Sequence, residues 1–301
     1  MTSNLRMLRA LEGGASVLRS VGLGSVVDRI GSRIAPRVGS FDVEIDGLRL
    51  HGDHIGQLYY VRELLEGDRE ATFTTLLKSS IRAGMTVVEA GAHIGFLTLQ
   101  AARAVGPSGR VYAFEANPHA VPLIERNLTV NGLREQVTVV PLALADVAGT
   151  HAFFLSGGGD TSSLHQPEGV SERIEVTMTA LDDWLDPTVR VDVVKLDIEG
   201  GEVAALHGMR ETLGRAGPDL VVLAECNPLM LDRAGTSPKE LREILEGNGL
   251  EVRWIDVSQG TTRPLDDADL SQGYVNWYCR RALSRHPVVT STTTRERRQT
   301  L

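Results

Sequence analysis

The chain has 301 residues, 42% of them hydrophobic and 23% charged, and a formal net charge of −8. This is ordinary globular composition for one or two domains, and it excludes a disordered or fibrous chain. No apolar run reaches the ~18 residues that a membrane-spanning helix needs. The start lacks the uninterrupted apolar stretch of a signal peptide, so none is expected.

Charge is unevenly spread. Residues 1–40 hold six Arg against Glu12 and Asp28, and residues 280–301 hold six Arg against Glu296. The stretch between them is strongly acidic, which argues against nucleic acid as a partner, because phosphate binding needs a basic surface. Cys226 and Cys279 are far apart in apolar contexts. They read as two buried thiols of a chain in a reducing cytoplasm, not as a disulfide or zinc framework.

In chain order, Leu5, Leu8, Leu11, Leu18 and Val21 fall at helical spacings between glycines. Such a basic amphipathic segment can make peripheral contact with a membrane or a lipid-linked substrate. The simpler reading is an accessory cap. Residues 41–50 alternate around Asp46-Gly47, a hairpin signal. Residues 68–83 read as a helix. Then strands and helices alternate: strands over 85–90, 110–115, 137–142, 191–197, 220–225, 251–256 and 274–280. Helices are expected over 93–105, 118–130, 202–213 and 238–246, with Pro118 in the first turn of the second and Ser237 capping the last.

This rhythm predicts a mostly parallel sheet with helices on both faces. Two β-like runs, 151–156 and 173–179, interrupt it around a loop containing Asp160 and His165. The tail HPVVTSTTTRERRQTL lacks apolar periodicity and reads as disordered. The expected organisation is a helical and hairpin extension (1–58), a main domain (59–281, insertion 150–181) and a basic tail (282–301).

The strongest local signal is Glu89-Ala90-Gly91-Ala92-His93-Ile94-Gly95, an acid at a strand end followed by Gly-x-x-x-Gly at a helix entrance. The glycines permit a tight turn and a close backbone approach by a ligand. The spacing is not the dinucleotide fingerprint, which disfavours a nicotinamide oxidoreductase. The next strand ends in Glu115, an acid placed to accept both ribose hydroxyls. A third acid, Asp146, follows the next strand and can accept from an adenine amino group. Three acids on one rim of the sheet mark a ligand site.

These motifs carry a family resemblance. VVEAGAHIGFLTL (87–99), GRVYAFEANP (109–118), ERNLTVNGL (125–133), PLALAD (141–146), TALDDWL (179–185) and VVKLDIEGGEVAALHG (193–208) resemble the S-adenosylmethionine-dependent methyltransferases of the FkbM type, over about residues 59–280. The family usually has Asn where this chain has His93, and Glu-Pro-Asn where it has Glu115-Ala116-Asn117. The resemblance implies a class I Rossmann-like α/β fold with a seven-stranded, mostly parallel sheet. It implies S-adenosyl-L-methionine as cofactor. Glu89, Gly91, His93 and Gly95 would line its methionine side, Glu115, Ala116 and Asn117 its ribose, and Asp146 its adenine.

Methyl transfer to a hydroxyl needs alignment and a base near the methyl group. Lys195, Asp197 and Glu199 alternate, so a strand running that far would point them to one face. Asp197 is the expected general base or acceptor anchor. Glu199 and Glu225 would orient the acceptor, and Lys195 would keep these acids charged. A carboxylate cluster can hold Mg²⁺, but no ligand set is spelled out and no metal is assigned. Tyr59 and Tyr60 are candidates for the acceptor pocket, and Trp184 reads as core.

The function expected is O-methylation of a sugar, glycolipid or natural-product hydroxyl. The rivals are N-methylation, which needs no strong base, and an inactive cofactor-binding scaffold.

Overall fold

The computed structural model describes residues 40–281 apart from 54, 67, 157–162 and 166–169. The expected helical pieces of residues 1–39, the loop position Asp160 and the basic tail 282–301 lie outside the described residues. Among the described residues no helix is long and apolar enough to cross a membrane.

Phe41–Ile45 (β1) and Leu48–Gly52 (β2) pair as the expected hairpin. Asp46 and Gly47 both have positive φ, 53° and 71°, the conformation of a two-residue hairpin turn. Two helices follow, Ile55–Glu66 (α1) and Asp68–Ser80 (α2), where the sequence suggests only the second. The first does not show in the sequence because its buried stripe, Gln57, Val61 and partly Leu64, is led by a polar residue.

The central sheet then assembles. Thr86–Ala90 (β3), Phe96–Val105 (α3), Arg110–Phe114 (β4), Val121–Val130 (α4) and Val137–Val140 (β5) form one half. Helix α4 starts three residues later than expected, with Pro122 in its first turn. Ala143–Leu144 (β6), Gly149–Ser156 (β7) and Val170–Thr179 (β8) form a separate three-stranded sheet in the order β6-β8-β7.

The second half comprises Leu181–Trp184 (α5), Val193–Leu196 (β9), Glu202–His207 (α6), Arg210–Arg215 (α7), Val221–Cys226 (β10), Pro228–Arg233 (α8) and Pro238–Gly247 (α9). Leu250–Asp256 (β11), Thr261–Pro264 (β12) and Val275–Arg281 (β13) complete it. Ser237 caps α9 as expected, its Oγ accepting from Glu240 N–H at 3.2 Å.

The large sheet has eight strands in the order β12-β11-β13-β10-β9-β3-β4-β5, parallel from β10 to β5 and antiparallel beyond. That is one more than the seven read from sequence. The addition, β12, is the short polar run TTRP at the edge, with no apolar alternation to announce it. The parallel strands are buried on both faces. Val87, Val111 and Val193 face one core with α2, α3 and α4. Val88, Val194 and Val222 face another with α6, α7 and α9. Trp184 packs edge-on against Tyr112 and Phe114, as a core residue.

Chain order runs outward from β3 in both directions, through β4 and β5 on one side and β9 and β10 on the other. This is the switch point at which open α/β sheets bind ligands, outside the carboxyl ends of the strands. Asn127 of α4, fully buried, braces that end. Its Oδ1 accepts from His51 N–H, and its Nδ2 donates to the carbonyls of His51 and Ile94.

Candidate active site

A cavity of ≈ 350 Å³ opens at the switch point. Its floor is the turn from β3 into α3. Gly91, His93 and Gly95 of this turn all have positive φ, 81°, 52° and 87°. Gly91 has a packing reason: a Cβ there would stand 1.9 Å from the Asp197 carbonyl oxygen. The turn after β3 and the end of β9 are thus pressed together.

Glu115, just past β4, lines the cavity. Its Oε2 accepts from His93 N–H at 2.7 Å and its Oε1 from Asn117 N–H at 2.8 Å. Burial pushes its pKa up to about 7, against the pull of those two hydrogen bonds. Glu89, on β3, is also buried and lines the cavity. Thr98 Oγ1 donates to its Oε2 at 2.6 Å, while Oε1 has no hydrogen-bond partner among the described residues. Burial raises this carboxyl too, opposed chiefly by Lys195.

Lys195, buried on β9, donates to the Gly91 carbonyl at 2.6 Å. Its Nζ stands 3.2 Å from Asp197 Oδ2 and 3.9 Å from Glu89 Oε1. Asp197 lines the cavity with its side chain 38% exposed. Burial works to raise its pKa, but Lys195 and a contact with Glu225 outweigh it and hold the carboxyl below the usual value. Asp197 is therefore ionised at neutral pH.

β9 ends at Leu196, so strand alternation does not bring Lys195, Asp197 and Glu199 together as the sequence suggests. A turn does so, with Glu199 at φ 52°. Glu202 holds that turn. Fully buried at the start of α6, it accepts from Ile198 N–H and Gly200 N–H, both at 3.0 Å. Its pKa is pushed to about 7, first by burial.

Glu225, on β10, is completely buried and does not line the cavity, which corrects its expected contact with an acceptor. Its carboxyl faces inward toward Asp197 and Glu199. Among the described residues, neither oxygen receives a hydrogen bond from an N–H or hydroxyl group. Burial, then the repulsion of Asp197, Glu199 and Glu202, raises its pKa well above the usual value.

Ala116 and Asn117 line the cavity beside Glu115, as expected. Asp146 does not. It is exposed on the chain leaving β6, because β5 stops at Val140 and the chain crosses into the small sheet. Gly95 also stands outside the lining and packs on Ile124. Leu142, Leu144 and Phe114 supply an apolar wall there instead.

The lining also includes Tyr60 and Glu63 of α1, Asn227 before α8, and Tyr274 before β13. Of these only Tyr60 is legible in the sequence. Tyr60 packs edge-on against His93, ring centroids 4.7 Å apart. Asn227 Nδ2 approaches Glu199 Oε2 at 3.5 Å. Leu164 lines the cavity and its neighbour His165 does not. Ser163 fixes this segment, its Oγ donating to the Glu199 carbonyl at 2.7 Å.

The methyltransferase FkbM domain model matches residues 89–252, from Glu89 past Glu225. The chain belongs to the FkbM methyltransferases. It is accordingly an S-adenosylmethionine-dependent methyltransferase. This FkbM chain is 31% identical over 157 residues to the "probable cobalt-precorrin-6B C(15)-methyltransferase (decarboxylating)" of Pyrobaculum calidifontis, covering 51% of the chain and 71% of that protein. It is 25% identical over 198 residues to methyltransferase sdnD of Sordaria araneosa, covering 55% and 73%. Among solved structures, an S-adenosylmethionine-dependent O-methyltransferase of Thermotoga maritima is similar at 16% identity, with 81% and 78% coverage and a TM-score of 0.41.

Proposed function

We propose that the chain methylates a hydroxyl of a neutral, hydroxyl-rich acceptor such as a sugar, glycolipid or natural product. The observation that carries this is one cavity holding two different carboxylates. Glu115 stands at one end, fixed by two backbone N–H groups, and the ionised Asp197 stands beside Lys195.

The residues fit S-adenosylmethionine. Glu89 Oε1 is a buried acceptor without a hydrogen-bond partner among the described residues, suited to the ammonium of the methionine part. Glu115 keeps a lone pair on each oxygen for the two ribose hydroxyls. The Phe114, Leu142 and Leu144 wall suits the adenine ring. When bound, the cofactor supplies an electrophilic methyl group on a sulfonium.

Asp197 accepts the proton of the acceptor hydroxyl as its oxygen attacks, and Lys195 keeps that carboxylate charged until then. Tyr60, Asn227 and Tyr274 of the lining would contact the acceptor. Five acids line the cavity, Glu63, Glu89, Glu115, Asp197 and Glu199, against Lys195 as the lone Lys or Arg among the described lining residues. That balance favours a neutral acceptor over an anionic one.

Cofactor affinity tests the reading. Ribose hydroxyls donate to an ionised Glu115, whose pKa before binding is about 7. Affinity measured by calorimetry should therefore rise with pH up to and through neutrality. Glu115→Gln should bind roughly 10–100-fold more weakly, as loss of hydrogen bonds to a charged group predicts, and lose that pH trend. The substitution also has a stability signature. A carboxyl raised in the folded state stabilises it fully below the unfolded value of 4.5, and that stabilisation is lost as pH rises to about 7. Glu202 shifts in the same direction, so Glu115→Gln should remove only part of the slope. Unchanged affinity in Glu115→Gln would overturn the placement of the ribose.

A further inference from the structure

We propose that Asp197, Glu199 and Glu225 bind one divalent, oxygen-preferring cation of the Mg²⁺, Mn²⁺ or Ca²⁺ kind beneath the inner end of the cavity. Each offers a carboxylate oxygen, and these three atoms lie within 4.8 Å of one another. Oxygens about 2.3–2.6 Å from a Ca²⁺ ion stand about 5 Å apart when opposite, so the three fit one coordination sphere. Mg²⁺ would need them drawn slightly closer. The donors are all hard oxygens, which excludes a thiolate-preferring metal.

Glu225 is what makes this more than an acidic patch. It is fully buried, it points into the cluster, and among the described residues no N–H or hydroxyl donates to either of its oxygens. A buried carboxyl without a basic partner costs several kcal/mol unless a proton or a cation compensates it. Lys195 is divided between Asp197, Glu89 and the Gly91 carbonyl, so one ammonium faces more negative charge than it can balance. A divalent cation would offset two of the three carboxylates. The site lies at the carboxyl ends of β9 and β10, where the methyl-accepting group is expected. A carboxylate has two oxygens, so Asp197 can ligate and still face the acceptor. The proposal does not depend on which atom is methylated.

The test uses the full chain stripped with EDTA, without cofactor or acceptor. Mn²⁺ is titrated in, with free Mn²⁺ read by electron paramagnetic resonance, and Mg²⁺ binding is read by calorimetry. One Mn²⁺ per chain is expected. Glu225→Gln should weaken binding by at least about 10–100-fold, the cost already seen for losing an outer-sphere partner. Its fold is checked by circular dichroism. Glu199→Gln should weaken binding similarly, and it does not replace a fully buried group. No stoichiometric binding, or wild-type affinity in both variants, overturns the proposal and leaves a proton as the occupant at Glu225. Cofactor binding is measured separately on the same protein. Its loss with Mn²⁺ retained would count against the proposed function and not against this site.

Discussion

Asp197→Asn lowers kcat/KM by roughly 10²–10⁴-fold, the usual worth of a positioned general base, while cofactor affinity changes little. The expectation follows from the environment of this side chain. Asp197 is the ionised, partly exposed carboxylate of the cavity, and Lys195 sits 3.2 Å from its Oδ2. Asparagine keeps the shape and the contact with the cavity but cannot take a proton. The loss should therefore appear in kcat more than in KM. Glu115 and Glu89, the residues assigned to the cofactor, are untouched by the change. Steady-state kinetics with each acceptor, alongside calorimetry for the cofactor, reads both quantities. Full activity in Asp197→Asn would point to an amine, whose own lone pair attacks without a base.

The second large effect is on stability. Gly91→Ala should destabilise the fold by at least about 3 kcal/mol. A residue with a side chain at φ 81° costs about 1–3 kcal/mol. The added Cβ would also lie 1.9 Å from the Asp197 carbonyl oxygen. Such overlap costs about 1–3 kcal/mol or more when neighbours cannot yield. They are fixed here. Gly91 N–H donates to the Phe114 carbonyl at 3.0 Å, and Asp197 N–H to the Ala90 carbonyl at 3.2 Å. At about 2–4 °C per kcal/mol for a domain of this size, calorimetry should show a melting point about 10 °C lower. A shift under about 2 °C would mean the β3 turn and the β9 end are not in contact as described.

Much of the site was legible because its carboxylates sit where strand meets turn. Glu89 and Glu115 stand where a strand gives way to a turn, Glu89 before Gly91 and Glu115 before Asn117-Pro118, and an acid at that point is a readable pattern. Asp146 was misplaced for a physical reason. Pro141 follows β5, and the chain leaves the large sheet before reaching Asp146, so counting to the next acid overshot the rim. Glu225 was read as facing an acceptor. All six residues of β10 are buried, so no alternation distinguished one face from the other.

Glu202 shows the reverse case. Its carboxyl holds the Ile198–Gly200 turn, a structural task that the sequence reading does not give it. Three residues of the cavity lining were the least visible. Glu63 lies on a helix with a hidden stripe, and Asn227 and Tyr274 sit in connections without a motif. Only the fold brings them to one cavity.

The measurement that bears most directly on the central claim is methyl transfer itself. The full chain is incubated with methyl-deuterated S-adenosylmethionine and an extract rich in glycans and hydroxylated natural products. Fragmentation mass spectrometry then locates the label. The account predicts a product carrying one labelled methyl on a hydroxyl oxygen, absent when Asp197→Asn replaces the wild type. Label on nitrogen or carbon, formed equally well by Asp197→Asn, would contradict it.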